Sequence, residues 1–425
     1  MCLTALFLNH FFSQNDAIKA QFIFIWKFQH CFKDKNPNIC KPMKITRSLL
    51  PLLKESYAKS EKIIIIYGAR QTGKTTLSND FLAQIESENK PSAFKVLKVN
   101  ADELRYVDVL SSRDLNKMKL LTSGYDLLFI DEAQRIPEIG INLKILHDSL
   151  PNLRLIVTGS SSLDLANKVK EPLTGRTSTF NLYPISLMEL STIYNAFEMQ
   201  EKLEEWMIFG LYPDIINQPS AAMKEKYLRE LSGAYLYKDI IAISQIRNSQ
   251  KIHDLLKLLA FQIGSEVSVN ELAKQLGMSQ ETVNSYIDLL EQSFIIFRLS
   301  GFSRNLRKEV SKRNKIYFWD CGVRNAIINN FSLLSMRNDQ GSLWENFIIA
   351  ERLKASGYRQ RYVSSYFWRT YTGAELDYVE EKSGQLFAYE IKYKKQNAKA
   401  PKAWIENYSS NFQCITRDNF WDFVL

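Results

Sequence analysis

Short, almost wholly apolar runs recur through the first part of the chain. Ile63-Ile-Ile-Ile-Tyr67, Leu127-Leu-Phe-Ile130 and Leu153-Arg-Leu-Ile-Val157 are rich in β-branched and aliphatic residues, and Phe94-Lys-Val-Leu-Lys-Val99 is a weaker version. Runs that stay apolar at successive positions predict strands covered on both faces, as in a parallel sheet. Thr76 to Ile85 reads as a helix after the first run, and a fifth strand is expected after Arg176. Strands alternating with helices predict an α/β domain over 43–186, a parallel sheet with helices on both faces.

The pattern then changes. Residues 187–250 carry helical stripes holding Trp206, Phe209 and Tyr212, broken at Gly210-Leu-Tyr-Pro213. Over 251–330 the chain reads as a helix (252–263), a capped helix (268–276), a Gly277-Met turn and a second capped helix (279–290). Two strands follow, Phe294–Leu299 and Ile316–Trp319. That order is a helix-turn-helix with a wing. Over 331–425 a helix from Trp344 to Leu353 precedes strands at 367–371, 374–379 and 385–392, with turns at Thr372-Gly and Ser383-Gly. Residues 1–42 fit none of these patterns. They read as an extension apart from the folded chain, with Met43 as the expected native start.

Composition narrows the setting. The 425 residues are 45% hydrophobic and 24% charged, which excludes a largely disordered chain, and no apolar run is long enough to cross a membrane. Cys2, Cys31, Cys40, Cys321 and Cys414 form no C-x-x-C pair and have no zinc spacing to the four histidines, so a reducing cytoplasm is the expected compartment. The net charge of +9 permits a polyanion partner without requiring one.

The strongest chemistry follows the first strand. Gly68-Ala69-Arg70-Gln71-Thr72-Gly73-Lys74-Thr75 matches G-x-x-x-x-G-K-[ST], and Thr76 continues into the helix. The glycines let backbone N–H groups face a phosphate at the positive end of a helix. Lys74 is expected on the β- and γ-phosphates of ATP and Thr75 on Mg²⁺. Asp131-Glu132 closes the third apolar run; Asp131 is expected to hold Mg²⁺ through water and Glu132 to polarise the attacking water. The extra strand between the two motifs favours an AAA+ or RecA-type ATPase over a Ras-like GTPase. Thr158 or Ser160, at the end of the next strand, is the candidate γ-phosphate sensor. Arg176 is a candidate for stabilising transition-state charge, in cis or across a subunit interface, which makes a homo-oligomer an expectation.

The order of motifs resembles the prokaryotic AAA-family ATPases that carry a C-terminal domain of unknown function. The resemblance rests on G-A-R-Q-T-G-K-T at 68–75, I-D-E-A-Q at 130–134, T-G-S-S at 158–161, L-T-G-R at 173–176 and L-Y-P-I-S at 182–186, and spans roughly 43–425. It implies an AAA+-type P-loop domain (43–186) with a helical lid (187–250), ATP binding and slow hydrolysis.

Two further readings concern nucleic acid. The wing segment 304–315 holds Arg304, Arg307, Lys308, Lys312, Arg313 and Lys315 against Glu309, and could grip phosphates of double-stranded DNA or another nucleic acid. The second capped helix has Gln280, Asn284 and Ser285 but no Lys or Arg, which weakens base readout. In the last domain, Asp377 and Glu390-x-Lys392 lie on strand positions that share a face. Two carboxylates and a lysine so placed can hold a divalent cation and position a water. This arrangement resembles the PD-(D/E)xK nuclease fold, and Glu345 matches the helical glutamate of its Holliday-junction-resolvase branch. The alternative is a nucleotide switch for a protein partner, with an inert C-terminal domain.

Overall fold

The computed structural model describes residues 43–89, 94–159, 173–235, 249–304, 313–394 and 398–425. Residues Ile45–Leu425 form one compact unit. The expected extension 1–42, sensor candidate Ser160, and Arg307, Lys308, Glu309 and Lys312 of the wing lie outside the described residues.

Five parallel strands, β1 (Ile63–Tyr67), β2 (Val96–Asn100), β3 (Leu127–Asp131), β4 (Arg154–Gly159) and β5 (Thr177–Asn181), form a sheet in the order β2-β3-β4-β1-β5. Alternate side chains enter separate cores. Ile63, Ile65, Leu128, Ile130, Leu155 and Val157 pack on the helix Ile139–Ser149, whereas Ile64, Ile66, Leu127, Phe129 and Ile156 pack on the helices Leu49–Lys59 and Lys74–Glu88. Burial on both faces is what the unbroken apolar runs require, each buried Ile contributing about 1.5–3 kcal/mol.

The second half is built on one mixed sheet of seven strands. β6 (Glu266–Val267), β7 (Ile296–Gly301) and β8 (Asn314–Phe318) follow the helices Ser249–Phe261, Val269–Leu276 and Gln280–Gln292, β6 lying after the first of them. β9 (Ser364–Arg369), β10 (Glu375–Lys382), β11 (Gln385–Ile391) and β12 (Ser410–Ile415) complete the order β12-β11-β10-β9-β7-β8-β6. The sequence treats 251–330 and 331–425 as separate units, yet β7 pairs in parallel with β9 at Ser300–Tyr366 and Gly301–Phe367, so one sheet crosses that boundary. Residues of the helix Ala196–Phe209 share a hydrophobic core with this half rather than with the two faces of the ATPase sheet.

The helix Gln340–Tyr358 joins the halves. At 100° per residue, positions 345 and 352 share one face while 351, 354 and 358 point to the other. On the first face, Arg352 makes a two-pronged pair with Glu380 of β10, both contacts at 2.7 Å. On the second, Glu351 accepts the Leu187 N–H at 2.7 Å, and the Tyr358 hydroxyl accepts the Tyr183 N–H at 3.2 Å. Tyr183 also stacks on Trp319, centroids 4.3 Å apart.

Candidate functional site

The phosphate loop is shaped by two glycines. Gly73 caps the helix Lys74–Glu88 at φ +91°, a left-handed backbone that favours glycine. A Cβ on Gly68 would lie 2.2 Å from the Leu182 carbonyl oxygen, so no side chain fits there. Lys74 is buried along the loop and donates to the carbonyls of Gly68 (2.8 Å) and Ala69 (2.9 Å). The Thr72 hydroxyl also donates to Ala69 O, at 2.8 Å. The Tyr227 hydroxyl, from the helix Ala221–Glu230, donates to the Gln71 amide oxygen at 2.6 Å. Arg70 lies within this loop and Thr76 follows it, exposed.

Strand order brings the acidic group to the loop. β4 lies between β1 and β3, so its end sits between the phosphate loop and Asp131-Glu132. The Thr75 hydroxyl donates to Asp131 Oδ2 at 2.8 Å, and the Thr158 hydroxyl donates to Asp131 Oδ1. Thr158 Oγ1 accepts the Glu132 N–H at 3.2 Å. A hydroxyl and a carboxylate one hydrogen bond apart are hard oxygen donors of the kind Mg²⁺ takes. Glu132 has φ +55°, a conformation costly for a side-chain-bearing residue and concentrated at functional sites. Gln134 donates to its Oε2 and fixes the carboxylate. Gln134 stands in the I-D-E-A-Q segment, and its role was not legible from the motif.

Arg176 does not join this group. Its carbonyl accepts the Ile63 N–H at the start of β1, whereas the phosphate loop leaves the other end of that strand. About 13 Å of strand separates the two ends. The Arg176 guanidinium instead pairs with exposed Asp148 at 2.8 and 3.0 Å. The expected in-cis role is therefore corrected by strand polarity.

A residue missed in the sequence supports the loop. Buried Arg47 donates to Thr72 O (2.6 Å), Tyr183 O (2.6 Å), Glu189 Oε1 (2.9 Å) and the Tyr358 hydroxyl (3.3 Å). Only the bare Arg in an ordinary helix start was visible; its partners lie up to 311 positions away.

The second group lies in the seven-stranded sheet. Lys392 Nζ is 2.5 Å from Glu390 Oε1 and 3.6 Å from Asp377 Oδ2. Asp377 Oδ2 also accepts the Ile391 N–H at 2.8 Å. Glu345 reaches this group from the helix Gln340–Tyr358. Its Oε1 accepts from the Tyr317 hydroxyl (2.6 Å) and from Lys315 Nζ (3.3 Å), which also contacts Glu375 Oε1 at 2.5 Å. Asp377, Glu390 and Lys392 are in direct contact, whereas Glu345 is linked to them through Lys315 and Glu375 and feels the Asp377 charge; Lys315, Tyr317 and Glu375 are additions. Burial, reinforced by the charge of Asp377, raises the Glu345 carboxyl to about 7, against the pull of Lys315. Burial and the Asp377 charge also raise Glu390, although Lys392 pulls it down. Burial opposes the charge on Lys315, but Glu345, Glu375 and Asp377 outweigh it and hold the ammonium above its ordinary range. Lys392 is raised in the same way by Asp377 and Glu390. Among the described residues no three acidic, His or Cys side chains converge as a ready ion cage. The carboxylates of Asp377 and Glu390 still suit Mg²⁺, which is commonly held by one or two carboxylates with water completing its shell.

The three described cations of the wing are paired with carboxylates. Arg304 pairs with Glu381 (2.8 Å), Arg313 with Glu266 (3.1 Å), and Lys315 is buried on the carboxylates. Gln280, Glu281, Asn284 and Ser285 are exposed, and Asp288 pairs with Arg298 at 2.7 Å. No helix among the described residues is long and apolar enough to cross a membrane.

A family model described as an AAA domain matches residues 60–191, and two described as domains of unknown function match 200–334 and 340–417. An uncharacterized protein of Mycobacterium tuberculosis is 28% identical over 336 residues, covering 78% of this chain and 70% of the relative. One from Methanocaldococcus jannaschii is 27% identical over 307 residues, covering 68% and 66%. Among solved structures, the Aeropyrum pernix ORC2 protein is similar at 13% identity and a TM-score of 0.38, covering 63% of this chain and 91% of that one. The Aeropyrum pernix ORC1 protein in complex with DNA is similar at 12% and 0.35, covering 70% and 94%. These structural likenesses are distant. The AAA-domain match and the parallel sheet agree that residues 60–191 are a P-loop, nucleotide-binding ATPase domain.

Proposed function

We propose that this protein is a Mg²⁺-dependent ATPase of the AAA+ type whose nucleotide state acts on a winged-helix and nuclease-like half, with nucleic acid as the target. The observation that carries the ATPase reading is the Thr75–Asp131–Thr158 group beside Glu132. Lys74 and the loop N–H groups bind and orient the phosphates. Thr75 and Asp131 would hold Mg²⁺, which when bound neutralises phosphate charge. Glu132, fixed by Gln134, takes the proton of the attacking water, and Thr158 orders the Glu132 backbone. The helices and hairpin of 249–318 have the order of a winged helix, and Asp377, Glu390 and Lys392 have the chemistry of a PD-(D/E)xK site.

Steady-state ATP turnover of the full chain, wild type and Glu132→Gln, with and without double-stranded DNA, tests the reading. Turnover that rises with DNA and vanishes in the variant supports it; Mg²⁺-dependent nicking lost in Asp377→Ala and Lys392→Ala would assign cleavage. A second reading, a nucleotide switch for a protein partner, is favoured by the exposed face of Gln280–Gln292, which carries Glu281 and no cation. Turnover indifferent to DNA would select it.

A further inference from the structure

The two lysines of the carboxylate group differ in access. The Lys392 side chain is 36% exposed and can meet a substrate, whereas Lys315 is 2% exposed and meets only protein groups. Lys315 and Tyr317 alternate with Ile316 and Phe318 along β8, so both project to the face covered by the helix Gln340–Tyr358. Both donate to the same oxygen, Glu345 Oε1. Lys315 carries its second contact to Glu375, two residues before Asp377 on β10. The strand order places β9 and β7 between β10 and β8, so Lys315 links the wing hairpin to the acidic strand.

We propose that Lys315 and Tyr317 are positioning residues of the C-terminal cation site. They hold the Glu345 carboxylate, and through Glu375 the start of β10, in register with Asp377. The site is therefore composite: its acids come from 345–390, and two of its orienting donors come from the preceding segment. Buried donors that orient the acids of a metal site set its affinity without touching the metal, and their loss typically costs 10–100-fold in binding. The inference rests on reading Asp377 and Glu390 as cation-binding residues.

The test is Mn²⁺ binding to the full chain, followed by electron paramagnetic resonance, with the phosphate-loop site removed as a contributor by Lys74→Ala and Thr75→Ala in the background. Tyr317→Phe deletes one hydroxyl and no volume of consequence. It is expected to weaken Mn²⁺ about 10-fold at an unchanged melting temperature. Lys315→Arg, which keeps the charge but displaces the donor, is expected to weaken binding in the same direction. Asp377→Asn is expected to abolish binding. If Asp377→Asn binds as the parent does, or the parent binds no Mn²⁺, the cation-site reading fails and this inference with it. If Asp377→Asn loses binding while Tyr317→Phe keeps it, the composite site alone is wrong. Weakening by Tyr317→Phe that only tracks a lowered melting temperature also overturns it, because the hydroxyl would then serve the fold and not the site.

Discussion

The five-stranded and seven-stranded sheets both carry a polar group, but they position it by different means. In the first, the polar residues follow the ends of adjacent parallel strands, so strand order alone brings Lys74, Thr75, Asp131 and Thr158 together. In the second, the residues sit along β8, β10 and β11 and on a helix laid over them, and paired charges hold them in place. The first site is placed by backbone direction, with Arg47 bracing its loop through Thr72 O. The second depends on an ionic balance among Lys315, Lys392, Glu345, Glu375, Asp377 and Glu390, in which removing one charge leaves another buried and unmatched.

Several substitutions would break or sharpen this contrast. The largest effect is expected from Arg47→Ala, which strips a buried partner from Glu189 and from three acceptors in both halves. It should cost about 3–5 kcal/mol in denaturant unfolding, with tryptophan fluorescence and ATP-dependent stabilisation lost in one transition. Two separate transitions would mean that the sheets fold independently. Next, Glu132→Gln should lower ATP turnover about 100-fold or more while ATP binding and Mn²⁺ binding at the second sheet persist. A fall in Mn²⁺ affinity would contradict the separation of the two groups.

The third expectation concerns pH. The Glu345 carboxyl, facing Lys315, Tyr317 and Asp377, has a folded value of about 7 against 4.5 in its ordinary state. Between those values the folded protein holds a proton that the unfolded chain has lost, so stability falls as pH rises from 4.5 to 7 and levels off above. Glu345→Gln should flatten that part of the profile by on the order of 1–3 kcal/mol, measured by urea unfolding across pH. The smallest effect is expected from Arg176→Ala: the exposed pair with Asp148 contributes little, and both melting temperature and turnover of dilute protein should stay at the wild-type value.

The two sheets were also unequally legible in the sequence. The phosphate loop is eight contiguous residues after an apolar strand, and the acidic pair ends another, so residue order already carried the geometry. Arg176 misled although it precedes the fifth strand in sequence: in a parallel sheet the start of a strand lies at the edge away from the phosphate loop. Asp377, Glu390 and Lys392 were visible through the period-two alternation of β10 and β11. Lys315 and Tyr317 were not, because a basic run around them resembled a solvated wing; the signal was that Ile316 and Phe318 alternate with them. β12 and the helices Lys402–Asn407 and Phe420–Val424 carried no periodic signature strong enough to be read. Arg47 was illegible for a simpler reason: none of its partners is nearby in sequence.

That last feature has a bearing on how the protein is made. Arg47 leaves the ribosome long before Tyr358, and closing a loop of 311 positions carries an entropic cost that the contacts between the halves must offset. Until the helix Gln340–Tyr358 has been synthesised and docked, the Arg47 guanidinium lacks one of its four acceptors and the phosphate loop lacks its full brace. A nascent chain stalled before that helix would hold Arg47 one acceptor short beside the phosphate loop, with Thr72 O, Tyr183 O and Glu189 still within its reach.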